Sequence, residues 1–291
     1  MRHEALVSAG AAPTLDQLAN RHFVEIARLV EAHTGIRLPP SKRTMVEGRL
    51  RRRVRALGLR DLMEYGEAIF GKGLLGAEFA HVVDCVTTNK TDFFREPQQF
   101  DLLRQRLLQV LAARAARLGV SLKFWSAAAS IGAEAYTMAM VAAQALGLDG
   151  PPFMILGTDI STAVIAAARL AIYPSAMADP IPEPYRKRYL MFARDPAREE
   201  FRIAPELRRL VSFGQLNLMD ERYDRDEIFD VIFCRNVLIY FGREAQTAVI
   251  ERLLERLRVG GYLMLGHSET MTARDPERLR QIAPSVFEKV R

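Results

Sequence analysis

The chain has 291 residues, 49% of them hydrophobic and 26% charged, with a formal net charge of +6. That composition is ordinary for a globular protein and excludes a disordered tail, a collagen-like repeat and a coiled-coil rod. The longest uncharged runs, such as Thr137–Leu148, fall short of the roughly 20 apolar residues that cross a bilayer, so no direct membrane insertion is expected. The opening MRHEALVSAGAAP carries an acidic residue and no apolar core, unlike a secretory signal. Cys85 and Cys234 lie far apart and neither has CxxC spacing, which points to a reduced, cytoplasmic setting.

The first eighty or so residues read as helix throughout. Leu18, Phe23, Ile26, Leu29 and Val30 follow helical spacing within Leu15–His33, and Pro39-Pro40 then breaks the chain. Thr44-x-x-Glu47 has the form of a capping box, and Val46, Leu50, Val54 and Leu57 make the next apolar stripe. Between Lys42 and Arg60 eight basic residues stand against Glu47 alone, so one element carries the protein's positive charge and the remainder is near neutral. Arg49, Arg52 and Arg53 lie on one flank of the stripe, with Arg51 and Arg55 further round. A Glu47–Arg51 pair at i, i+4 spacing would make part of this an ordinary solvated face; otherwise the field can steer an acidic partner. Asp61–Phe70 and Leu75–Val86 complete a small helical bundle.

From about residue 120 the texture alternates. Residues 122–129, 154–160, 211–218, 230–239 and 262–268 have strand composition, and Glu134–Leu146, Thr162–Leu170 and Gln246–Arg256 are helical. This order predicts an α/β fold with a parallel sheet, which binds ligands beyond the carboxyl ends of its strands. Tyr173–Leu210, rich in proline, arginine and glutamate, interrupts the pattern as an insert. The first strand runs into Ala129-Ser130-Ile131-Gly132-Ala133-Glu134, a small-residue turn that opens a helix. A bare helix N-terminus has the same sequence signature. Glu134 disfavours a phosphate there and suits a cationic ligand. Asp159, 27 residues beyond Gly132, stands where an acidic residue accepts ribose hydroxyls, or where it caps the next helix. A ribose, a cationic group and no phosphate describe S-adenosylmethionine (SAM) better than NAD or ATP. His3, His22, His33, His81 and His267 show no ligand spacing, so no metal is expected.

Four blocks then carry a resemblance: Cys85-Val86-Thr87-Thr88-Asn89-Lys90-Thr91-Asp92-Phe93-Phe94-Arg95-Glu96-Pro97, Trp125–Glu134, Arg235-Asn236-Val237-Leu238-Ile239-Tyr240-Phe241 and Gly266-His267-Ser268-Glu269. Together they closely resemble the chemotaxis receptor glutamate O-methyltransferases, the CheR family, over roughly residues 15–285. The resemblance implies an all-helical N-terminal domain (1–85) with a basic substrate-docking helix. It implies a Rossmann-like class I SAM-dependent methyltransferase domain (86–291) with a linker (86–100) and a small β insert (about 173–210). It also implies methyl transfer from SAM to glutamate carboxylates of chemoreceptor cytoplasmic helices, leaving S-adenosylhomocysteine (SAH).

Carried over by position, the cofactor contacts would be Asn89, Thr91, Arg95, Glu134, Asp159, Asn217, Leu218, Arg235 and Asn236. Arg95 and Tyr240 would face the transferred methyl. Glu134 would meet the methionyl ammonium or another polar edge, Asp159 the ribose, and Asn217 with Leu218 the adenine. Arg49, Arg52 and Arg53 would dock the acidic receptor helices. The chain departs from the family in its cofactor turn, where the usual S-T-G-E-E-P-Y is Ser130-Ile131-Gly132-Ala133-Glu134-Ala135-Tyr136, and at Lys90, where an apolar residue is common. The insert stretch Phe192–Glu200 has no glycine, so an enzyme independent of a receptor pentapeptide tether is expected. Two other readings stand beside this one: a non-catalytic module that senses SAM or SAH, and an RNA methyltransferase. Against the latter, Arg235-Asn236-Val237-Leu238 is not a base amino-methylation signature and no aromatic stacking platform is evident, so no nucleic-acid partner is expected.

Overall fold

The computed structural model describes residues 16–87, 90–147, 150–195, 197–223, 226–269 and 277–291. The opening segment, Leu15 and Asn89 lie outside the described residues. The chain divides into two units. One holds the described residues up to Val30 together with Leu38–Val86, and the other holds Glu31–Arg37 with Thr87–Arg291.

The first unit is helical. Helix α1 (Asn20–Thr34) starts later than its apolar spacing predicts; Leu18 is buried, but its N–H donates to the Glu47 carboxylate 3.1 Å away instead of entering a helix. After a 3-10 turn (Pro40–Lys42) comes α2 (Arg43–Ala56), then α3 (Leu62–Phe70), capped by the Asp61 side chain on the Glu64 N–H, and α4 (Leu75–Val86). Val46, Leu50 and Val54 of α2 are buried, as are Tyr65, Ile69, Val82 and Val83 of α3 and α4. The expected capping box does not form. Helix α2 already begins at Arg43, Lys42 makes no side-chain cap, and the Glu47 carboxylate is taken by Leu18 N and by Arg43 Nε at 2.8 Å. The Glu47–Arg51 pair is absent for the same reason, and Arg51 bonds Asp16 instead.

Two of the three arginines expected to dock substrate are engaged inside this unit. Arg53 grips the buried Glu78 carboxylate at 3.0 and 2.6 Å, and Arg49 donates to the Cys85 carbonyl in the last turn of α4 at 3.1 Å. A carboxylate out of water needs a cation, which Arg53 supplies, and the Tyr65 hydroxyl donates to it as well. Arg52 and Arg55, three residues apart and so on one face of α2, are exposed.

The second unit is a three-layer α/β structure. A helical rod not signalled by the strand–helix alternation leads in: α5 (Pro97–Leu102), a π-helical turn (Leu103–Leu107) and α6 (Leu108–Leu118). Then follow β1 (Leu122–Ala127), α7 (Ala133–Leu146), β2 (Phe153–Asp159) and α8 (Thr162–Leu170). The insert comprises β3 (Ile172–Pro174), α9 (Glu183–Tyr189), β4 (Leu190–Phe192), β5 (Glu200–Ile203) and α10 (Pro205–Arg208). The chain returns through β6 (Val211–Gln215), β7 (Phe229–Cys234), α11 (Arg243–Glu255), β8 (Leu257–Leu265), β9 (Leu279–Ala283) and β10 (Val286–Lys289).

The main sheet runs β6-β2-β1-β7-β8-β10-β9, parallel from β6 to β8, with β10 antiparallel to both its neighbours. The sheet has the expected Rossmann-like character, and its order reverses between β1 and β7, where a crevice opens beyond the carboxyl ends. The expected insert is a separate antiparallel sheet, β3-β5-β4. The linker is anchored in the unit's core. Phe93 is fully buried edge-on to Tyr173 at 5.0 Å between ring centres, and Phe94 N donates to Thr137 Oγ1.

Candidate functional site

A cavity lies in the second unit beyond β1, β2, β6 and β7. Thr91, Arg95, Glu134, Asp159, Asn217, Leu218, Arg235, Asn236 and Tyr240 all line it, so the sheet brings together every described residue expected at the cofactor. Thr34 and Ile36, which sequence reasoning missed, line it too. They follow from Ile36 bridging to Phe241 in an isolated antiparallel pair, a contact across some 200 residues that no local signal announces.

The turn after β1 is tightly wound. Ala128, Ser130 and Gly132 all have left-handed backbone, with φ of 63°, 50° and 88°. At Gly132 a Cβ would come within 2.9 Å of Phe213 and 3.0 Å of Ala168, so only glycine fits there. Asp159 at the end of β2 secures the turn, accepting from Ser130 N at 2.9 Å and from Ser161 N at 3.0 Å. The helix cap that competed for Asp159 is made by Ser161, whose hydroxyl accepts from Val164 N.

Glu134, expected to suit a cationic ligand, has a cation of the chain beside it in the first turn of α7. Glu134 Oε2 accepts from Arg235 Nε at 2.7 Å and its Oε1 from Ser126 Oγ at 2.7 Å. The cation that meets Glu134 is thus internal, 101 residues away in the chain and delivered by β7 lying beside β1. Arg235, with its side chain 1% exposed, also reaches Gln99 Oε1, Glu96 Oε2 and the Arg95 carbonyl, and its guanidinium lies 5.0 Å from the Phe100 ring centre. It is a tie between three segments of the cavity wall. Asn217 is likewise committed, its amide donating to the His33 carbonyl at 2.6 Å while its Oδ1 accepts from Met219 N. Arg95 is half-buried and gives one bond to the Lys90 carbonyl at 3.1 Å. Lys90 lines the cavity beside it, so two cations stand at the wall, near the paired Glu134.

Residues 89–286 match the family description "CheR methyltransferase, SAM binding domain", and residues 21–87 match "CheR methyltransferase, all-alpha domain". The chain belongs to the CheR methyltransferase family. It is 38% identical over 247 residues to chemotaxis protein methyltransferase 2 of Pseudomonas aeruginosa, covering 85% of each chain. It is 36% identical over 255 residues to the chemotaxis protein methyltransferases of Salmonella typhimurium and Escherichia coli, covering 88% of this chain and 85% and 86% of theirs. This CheR-family chain is therefore a SAM-dependent methyltransferase. The cavity suits SAM: Asp159 and Glu134 place carboxylate oxygens in its wall. Among the described residues no group of histidine, cysteine or carboxylate side chains could hold a metal ion, and no helix is long and apolar enough to cross a membrane.

Proposed function

We propose that this CheR-family methyltransferase esterifies glutamate side chains on chemoreceptor cytoplasmic helices, with the residues around the cavity holding both reactants. The observation that carries the reading is the pairing of charges in the wall. Glu134 is paired with Arg235 and Asp159 accepts from neutral main-chain amides, which leaves it capacity for hydroxyls, while Arg95 and Lys90 stand ready for an incoming carboxylate. When bound, SAM supplies an electrophilic methyl on a sulfonium leaving group. The acceptor carboxylate is already ionised at neutral pH, so the protein need not remove a proton. A carboxylate oxygen forms the new bond to the methyl carbon as the carbon–sulfur bond breaks, and the two opposite charges cancel.

What remains for the chain is alignment and the exclusion of water. Asp159 is the group for the ribose hydroxyls, and Leu218 and Asn217 border the adenine edge. Arg95, able to give a carboxylate two parallel hydrogen bonds, orients the acceptor, and Tyr240 adds a donor. Arg235 acts through Glu134 and the Arg95 carbonyl. Thr91 and Asn236 border the same space, as Asn89 does in the resemblance.

Transfer of label from SAM to receptor fragments, compared with RNA, tests the reading. Label in RNA alone, or SAM bound with no label passed on, would favour the two other readings. Arg95→Ala should lower turnover by about 100-fold and Tyr240→Phe by about tenfold, in line with the loss of oriented hydrogen bonds to a reacting group. Near-normal rates in both would remove these residues from the mechanism.

The docking surface narrows to the exposed arginines of α2. The double change Arg52→Ala and Arg55→Ala should raise the KM for receptor about tenfold at low ionic strength and less in high salt, where such fields are screened. SAM affinity should not change. A KM equally altered at all salt concentrations would point away from charge steering. Independence from a receptor tether is supported by the glycine-free stretch after β4, and calorimetry with a free receptor-tail peptide checks it.

A further inference from the structure

Glu269 has no part in the chemistry above, yet its carboxylate is buried and made to serve one segment. Oε1 accepts from Val237 N and Leu238 N, both at 2.8 Å, and Oε2 accepts from Asn236 N at 2.9 Å and Gly266 N at 2.7 Å. Burial pushes its pKa up, and the four main-chain N–H groups act against that. Four converging amides around one anion form a nest, here filled by the protein's own side chain.

The segment so held is unusual. Asn236 has left-handed backbone at φ 58°, and the chain then tightens into a 3-10 turn at Leu238–Tyr240. Arg235, Asn236, Val237, Tyr240 and Phe241 from this stretch line the cavity. The clamp is also close-fitting from the other side. A Cβ on Gly266 would lie 2.7 Å from Asn236 Nδ2, 2.8 Å from Glu269 Oε2 and 2.9 Å from Asn236 N.

We propose that Glu269 is a positioning residue, its carboxylate setting the course of the main chain from Asn236 to Leu238 and so holding Asn236 and Tyr240 at the cavity wall. The inference rests on the reading of this cavity as the methyl-transfer site. A segment with a non-glycine left-handed residue stays in that conformation only where its surroundings over-determine it. Three of the four N–H groups that Glu269 accepts belong to that segment. A glutamine offers one carbonyl oxygen to the four donors and turns an NH2 group toward two of them, leaving buried donors unmatched.

Glu269→Gln and Gly266→Ala in the full-length chain test this, with SAH affinity by calorimetry, kcat and KM for acceptor, and hydrogen exchange by mass spectrometry. Glu269→Gln should weaken SAH about tenfold and lower kcat about tenfold at saturating substrates, the scale of one or two unmatched buried donors. Exchange should quicken at residues 235–241 and around Gly266 while the rest of the second unit stays as in the wild type. Gly266→Ala should follow the same pattern, and Glu269→Asp, which keeps the charge, should recover part of the loss. Unchanged SAH affinity and kcat in a folded Glu269→Gln protein would overturn the proposal. So would fast exchange of the Asn236, Val237 and Leu238 amides in the wild type, a readout that needs no variant to fold. SAH affinity and exchange report on the clamp whatever the acceptor proves to be. Failure of receptor methylation with both intact would sink only the proposed acceptor.

Discussion

Replacing Arg235 by alanine should all but abolish SAH binding and lower the melting temperature of the second unit by on the order of 10 °C. The guanidinium is 1% exposed and satisfies Glu134, Glu96, Gln99 and the Arg95 carbonyl at once. Removing one partner of a buried pair costs about 3–5 kcal/mol, because the other charge is left without compensation. In a domain of this size each kcal/mol moves the midpoint by about 2–4 °C. Arg235→Lys should rescue little. A compact ammonium cannot reach acceptors on two segments at once, and it loses the contact with the Phe100 and Phe233 rings. Calorimetric SAH titrations and thermal scans of both variants are the check. A lysine variant with wild-type affinity would mean that charge alone matters, and the network assigned to Arg235 would be wrong.

The second large effect concerns the helical unit. Arg53→Ala should lower its stability by about 2 kcal/mol at neutral pH, the low side of the range for a broken buried pair because the Arg53 side chain is 23% exposed. Burial of Glu78 acts to raise its pKa, and the hydrogen bond and charge of Arg53 more than reverse this, so the folded value lies below the ordinary one. A lowered folded pKa contributes stability above the unfolded carboxylate pKa and loses it as pH falls through the folded value. In the variant the Arg53 contributions are gone while His81 and the Tyr65 hydroxyl remain, so the lowering shrinks and with it the stability gained at neutral pH. Urea unfolding should show a wide gap between wild type and variant near pH 7 that narrows near pH 4. A gap that stays constant with pH would show that Arg53 acts by packing alone.

Much of this architecture was legible in the residues. The five parallel strands announce themselves through short, mostly buried apolar runs, although β6 alternates and β8 starts at Leu257, ahead of the expected segment. Helix α8 and helix α4 fall on their predicted bounds because turn residues and breakers flank them. The antiparallel pair β9 and β10 went unseen, since edge strands such as Leu279–Ala283, with Arg280 and Gln281 exposed, carry only half an apolar pattern. Around the cavity, motif blocks signal which residues converge but not how they bond. The bond from Arg235 to Glu134 and that from the Asn217 amide to the His33 carbonyl form only once the sheet brings distant segments together. The basic helix misleads in the same way. Its charge is plain in the sequence, whereas the commitment of Arg53 depends on Glu78, 25 residues further along.

The winding of residues 128–132 has a thermodynamic corollary. Ala128 and Ser130 hold left-handed backbone despite carrying a Cβ, at a cost of about 1–3 kcal/mol each that is met when the protein folds. The loop therefore has its shape before a nucleoside arrives, and association need not freeze it. Glycine at either position should loosen the empty loop and shift the penalty onto binding, visible as a less favourable entropy of SAH association at similar enthalpy.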